Sequence, residues 1–159
     1  MTSPPTQPSS QLISTSFVST YFACLCSSPR YLYRLCVSFC CNELSLKSFD
    51  SYNNESTLTI TPFEGAASDT VQTQAGIHTK LGSMGYENCS AAIVSVDSQY
   101  SADGSVLVLV TGTMNHCDSP TVDRRFVQAF LLAPQEKGYF VLNDVRICSV
   151  RNEITDLWL

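Results

Sequence analysis

The stretch Val106-Leu107-Val108-Leu109-Val110 constrains the fold of this chain more than any other. Side chains along a strand point alternately to the two faces of a sheet, so a strand with one wet face alternates apolar and polar residues. Five consecutive aliphatic residues therefore call for cover on both faces. Helices of the same chain can supply one cover. A second subunit, or the chain's own tail, supplies the other.

The surrounding sequence fits helices layered on a sheet. Residues 14–25 read as a helix, because Phe17, Tyr21 and Leu25 recur at four-residue spacing with Val18 and Phe22 on the same side. Pro29 suits the first turn of a short second helix through Tyr31, Leu32 and Leu35. Residues 73–84 read as a third, with Ile77, Leu81 and Met84 on one face and Gly85 as its stop. Residues 56–60 alternate like a short strand, and 66–74 read as a polar loop. Four longer strands follow at 91–100, 106–110, 122–133 and 139–145, the first two joined by a turn at Ala102-Asp103-Gly104. The expected class is α+β: three N-terminal helices packed on a curved antiparallel sheet.

Length and composition narrow the function. A chain of 159 residues suits one domain with a real core. Its net charge of −5, with Arg124-Arg125 the only adjacent basic pair, lacks the clustered cations that neutralise nucleic-acid phosphates. No run approaches the roughly 20 apolar residues of a membrane helix. Residues 1–13 read as a disordered lead without the apolar core of a signal peptide, and 149–159 as a tail. Cys24, Cys26, Cys36, Cys40 and Cys41 crowd one region, yet they lack the paired spacing and nearby His of a zinc site. Reduced thiols are expected, with no metal and no cofactor.

Several blocks resemble a known family. Gly76-Ile77-His78, Leu107-Val108-Leu109-Val110-Thr111-Gly112, residues 124–134 and Gly138-Tyr139-Phe140-Val141-Leu142-Asn143-Asp144 are similar to the nuclear transport factor 2-like domain. They look in particular like the N-terminal domain of Ras-GTPase-activating-protein-binding proteins, the Rasputin family. The resemblance covers about residues 14–35 and 52–144, within a domain spanning 14–148. It implies a cone-shaped fold and a homodimer through the sheet, assigned to Val106, Val108, Val110, Phe126 and Phe130. It also implies a groove for short Phe-containing peptides at Phe17, Tyr21, Leu35 and Tyr139, where rigid aromatic area suits a Phe anchor. Family relatives act in ribonucleoprotein granules; transport factors of the same fold bind Phe-Gly nucleoporin repeats. Either role implies a cytoplasmic protein, extending to the nucleus or nuclear envelope.

The chain departs from the family pattern after Arg34, where relatives carry Phe-Tyr. Here Leu35-Cys36 opens a Cys-rich segment, and the pattern resumes at Tyr52. Leu35 as TTG and Cys36 as TGT or TGC give TT|GTG, an intron start, and Ser51 as AGT or AGC gives an intron end. Joining the flanks restores Arg-Phe-Tyr-Asn-Asn. Residues 36–51 are therefore either a loop insertion or a retained short intron. A weaker signal of the same kind starts at Val145-Arg146, where relatives read Ile-Phe-Arg-Tyr.

The same fold also hosts ketosteroid isomerase-like and dehydratase-like enzymes, which need an acid/base group aimed into the cone. His78, His116, Asp97 and Asp144 are the candidates. His78 reads as structural, His116 and Asp97 as loop or strand-edge residues, and Asp144 as a strand-end residue bonded to backbone. They form no constellation, so no catalytic residue is expected.

Overall fold

The computed structural model describes residues 9–27, 36–40, 43–47, 52–62, 66–115, 124–136 and 138–150. Helix α1 spans Ser10–Ser27. Ser9 sits at its N-cap, its hydroxyl accepting the Leu12 N–H at 3.2 Å, which satisfies one of the orphan donors of the first turn. The helix thus starts four residues before the expected start at residue 14, and Ile13 is part of the core rather than of a lead.

Two strands follow, β1 (Cys36–Cys40) and β2 (Glu43–Lys47), which pair antiparallel in a two-stranded sheet of their own. The main sheet contains β3 (Thr57–Thr61), β4 (Asp69–Gln72), β5 (Ser90–Tyr100), β6 (Val106–Asn115), β7 (Arg124–Gln135) and β8 (Gly138–Val150), in the order β4-β3-β8-β7-β6-β5. Helix α2 (Gln74–Ser83) connects β4 to β5. Thr73 caps it, and Gly85 takes the left-handed conformation (φ 65°) that ends it, a conformation favouring glycine.

Three features differ from the sequence reading. Two helices are present among the described residues; the short helix expected at 29–35 lies outside them. The sheet is mixed, because β3 runs parallel to β8 while the other pairs are antiparallel. And the loop at 66–74 contains β4, an edge strand pairing with β3. Its sequence Asp-Thr-Val-Gln is short and mostly exposed, so it carries no apolar alternation to announce it.

The inner face of β6 and β7 packs against α1. Phe17 meets Phe130 edge-on at 4.9 Å between ring centroids, Tyr21 meets Phe130 at 4.9 Å, and Phe22 tilts over Phe126 at 5.2 Å. These residues belong to one core with Val106, Val108 and Val110, all three at 0% exposure. Each such side chain contributes about 1.5–3 kcal/mol by leaving water. Gly112 completes the packing by having no side chain: a Cβ there would stand 2.5 Å from the Ala92 carbonyl oxygen and 3.0 Å from the Phe126 ring.

Val106, Val108, Val110, Phe126 and Phe130, assigned from sequence to a subunit interface, are therefore inside the chain's own core. The run has an apolar residue at every position, so period-2 logic cannot say which set faces the helix. The aromatic face of α1 takes the valines. The outward set is Leu107 and Leu109, exposed 39% and 42%.

A β-bulge in β8 sets a second pair of faces. Leu131 pairs with Asn143 and Leu132 with Val141, leaving Leu142 as the extra residue. Before it Val141 points inward; after it Asp144 and Arg146 do, while Val145 and Ile147 point out. Without the bulge the apolar Val145 and Ile147 would be the inward pair.

Candidate functional site

The bulge delivers Asp144 into the buried interior, at 0% exposure. Three side chains close on its carboxylate. The Tyr52 hydroxyl donates to Oδ2 at 2.7 Å, the Tyr21 hydroxyl to the same oxygen at 3.0 Å, and Gln128 Nε2 to Oδ1 at 2.6 Å. Arg146 extends the cluster, donating from Nε to Gln128 Oε1 at 2.9 Å and from Nη2 to the Tyr21 hydroxyl at 3.3 Å. Burial pushes the Asp144 carboxyl above the usual carboxylate range, with the Arg146 charge and the donated hydrogen bonds opposing it. Burial, then the Asp144 charge, raises both tyrosines, so they remain protonated donors. Asp144 is thus an interior anchor, not the strand-end residue that sequence suggested.

The cluster has the residue types of a general-base site, but its geometry is that of a closed knot. Both carboxylate oxygens already accept hydrogen bonds from side chains packed against them, whereas a general base must reach a proton on a substrate. Asp97, the other acidic candidate, is exposed and pairs with Leu109 in β5–β6, so the sheet separates it from Asp144. His78 lies half-buried on α2, and His116 lies outside the described residues.

The expected groove residues are placed as follows. Phe17 is 8% exposed, with its ring on Phe130. Tyr21 is 1% exposed and its hydroxyl is in the Asp144 cluster, so it is an interior residue and offers no surface to a peptide. Tyr139 is half-buried against the core, opposite Pro134 in the β7–β8 pairing. Leu35 lies outside the described residues.

On the other side of the sheet is a surface that the parity of the sequence hid. Leu109, Ala129 and Val145 stand in one row across β6, β7 and β8. Val127 and Ile147 form the row on one side of it, and Leu107 with Leu131 the row on the other. Leu107, Leu109, Val127, Val145 and Ile147 are each 39–52% exposed. Contiguous aliphatic area of this kind marks an interaction surface.

At the inner end of β8, Arg146 also lines a cavity of about 110 Å³, shared with Met84, Tyr86, Met114, Arg124 and Phe126. Its guanidinium lies 5.1 Å from the centre of the Tyr86 ring, and its Nη1 is buried without a hydrogen-bond acceptor among the described residues. Three hydrogen-bonding groups of the interior, Tyr52, Gln128 and Arg146, went unnoticed in the sequence. The one available signal was Gln128, a polar residue at an inward position between Phe126 and Phe130.

Known proteins share this architecture. The nuclear transport factor 2 (NTF2) domain family model matches residues 13–147. A nuclear transport factor 2 of Arabidopsis thaliana is 36% identical over 148 residues, 93% of this chain and 28% of that protein. A putative G3BP-like protein of Schizosaccharomyces pombe is 38% identical over 94 residues, 59% of this chain and 21% of that protein. The chain therefore spans less than a third of the length of these relatives. Among solved structures, nuclear transport factor 2 from Cryptosporidium parvum superposes with a TM-score of 0.67 at 24% identity, covering 94% of this chain and all of that one. The yeast UBP3-associated protein BRE5 does so with a TM-score of 0.63 at 18% identity, over 88% and 96%. At these identities the structures speak for the fold alone. With the family model covering the chain from α1 to β8, this protein belongs to the nuclear transport factor 2 domain family, close to its G3BP-like, Rasputin-type members.

Proposed function

We propose that this domain is a non-catalytic dimerisation and peptide-binding module, of the type carried by ribonucleoprotein-granule proteins. The observation that carries the reading is the contrast between its two sheet faces. The inner face is filled by α1 and by a carboxylate cluster whose hydrogen bonds are closed. The outer face leaves Leu107, Leu109, Val127, Val145 and Ile147 partly in water. An interior that packs its own acid supports a binding role over catalysis. An aliphatic outer face supports a homodimer through the sheet, and similarity to a G3BP-like protein supports recognition of short Phe-containing peptides. Phe17 and Tyr139 are the proposed groove residues, with Tyr139 at the accessible rim. The proposed location is cytoplasmic, reaching the nucleus.

The similarity to proteins called nuclear transport factor 2 favours a second reading, a carrier that binds Phe-Gly nucleoporin repeats. Titration by calorimetry with Phe-Gly-Asp-Phe-type peptides and with Phe-Gly repeat peptides separates the two. The first reading expects the tetrapeptide type to bind at least tenfold tighter, and Tyr139→Ala to weaken it in a folded protein. Preference for the repeats supports the carrier, and binding of neither overturns both.

A further inference from the structure

Two thiols distant in sequence meet beside the cavity. Cys26 lies in the last turn of α1, and Cys89 stands just before β5; their Sγ atoms are 2.9 Å apart, with Cys89 donating to Cys26. That is within about 1 Å of the 2.05 Å length of a disulfide bond. The backbones are already joined, since the Asn88 N–H donates to the Cys26 carbonyl at 3.0 Å. The two differ in access: Cys26 is half-buried, and Cys89 is 7% exposed. They differ in chemistry as well. The hydrogen bond from Cys89 lowers the Cys26 thiol below its usual range, and the nearby Arg146 charge adds to this against the effect of burial. The same contact, then burial, raises Cys89. A lowered, reachable thiol beside a buried partner is the arrangement of an attacking and a resolving cysteine.

We propose that Cys26 and Cys89 form a reversible disulfide with a small-molecule disulfide as oxidant. The Cys26 thiolate attacks one sulfur of oxidised glutathione, forming a mixed disulfide and releasing one glutathione thiolate. Cys89 then gives up its proton to solvent and attacks Cys26 Sγ, which closes the protein disulfide and expels the second glutathione thiolate. Two protein thiols lose two electrons, and one glutathione disulfide gains them. The bond fixes the end of α1 to the segment that carries Met84 and Tyr86, so oxidation clamps one wall of the Arg146 cavity. Its ends are 63 positions apart, a separation at which a crosslink restricts the unfolded chain strongly.

The test equilibrates the folded full chain in glutathione buffers of rising oxidised fraction, then alkylates it under denaturing conditions and digests it without reductant. The expected results are a Cys26–Cys89 linked peptide, two fewer alkylation sites, and an unfolding midpoint several degrees higher that dithiothreitol reverses. In Cys89→Ser, Cys26 should instead retain glutathione. Full alkylation of both residues in the most oxidising buffer overturns the proposal. So does a linked peptide that pairs Cys26 with any other cysteine. The wild-type peptide map decides the matter even where the variant folds poorly.

Discussion

Tyr52 donates its hydroxyl to Asp144 across 2.7 Å, joining the residue that follows the β1–β2 segment to the middle of the last strand. Both residues are at 0% exposure, so neither can turn to water if the other is lost. Removing the tyrosine hydroxyl leaves Asp144 with Tyr21 and Gln128, and Tyr52→Phe should cost about 1–3 kcal/mol in urea unfolding. Asp144→Ala strands all three donors and uncovers the Arg146 charge, so it should cost more, about 3–5 kcal/mol. Equal losses for the two variants would show that the carboxylate does not organise the cluster.

The same carboxylate predicts a pH dependence. Its folded pKa is raised by burial, so the folded state keeps the proton to higher pH than the unfolded chain does. The stabilisation is complete below the unfolded value of about 3.9 and is lost as pH rises through the folded value. Across that window wild type should lose stability relative to Asp144→Asn, which has no proton to release. Unfolding curves for both proteins at several pH values check this; parallel pH profiles would contradict it.

Neighbouring residues of β6 should respond in opposite ways. Leu109 faces out and Val108 faces α1. Leu109→Asp should leave the circular dichroism spectrum intact and weaken self-association at least tenfold by light scattering. Val108→Asp buries an unpaired charge and should abolish folding. A wild-type protein that runs as a monomer, or a Leu109→Asp protein that dimerises normally, rules out this face as the interface.

Gly112→Ala tests a position in the sheet that has no room for a Cβ. The added methyl would meet a carbonyl oxygen on β5 and the Phe126 ring, so the strands must part. The expected cost is about 1–3 kcal/mol, read as a lower denaturant midpoint.

Residues 36–51 can be tested at the level of the message and of the protein. Transcripts amplified across the codons for Arg34 and Tyr52 should include a form lacking this segment. The shortened protein, with Phe before Tyr52, should unfold at a midpoint no lower than that of the full chain. Abundant message that always retains the segment would sink the retained-intron reading and leave an insertion.

Much of the fold was legible because it is written in strong local patterns. The four-residue spacing of Phe17, Tyr21 and Leu25 gives α1, Gly85 ends α2, and Asp103-Gly104 turns β5 into β6. The parts that stayed hidden depend on partners distant in the chain. The parallel pairing of β3 with β8 has no local signature, and β4 is too short and polar to show one. In β6 both faces are apolar, so the choice between Val108 and Leu109 is made by α1, not by the strand. The role of Asp144 needed Tyr21, Tyr52 and Gln128, which come from a helix, the segment preceding β3 and another strand.

The extra residue at Leu142 has a consequence for how such a domain changes over time. Downstream of it, β8 carries two interleaved sets, polar Asp144 and Arg146 on one face and aliphatic Val145 and Ile147 on the other. Their destinations depend on the bulge, because a regular strand of the same length would turn Val145 and Ile147 inward without altering any side chain. A hydrocarbon core and a charged exterior are already spelled in the strand, one step out of phase. A slip of pairing by one residue can therefore accomplish what would otherwise take several substitutions: exchanging what the domain keeps within for what it shows to a partner.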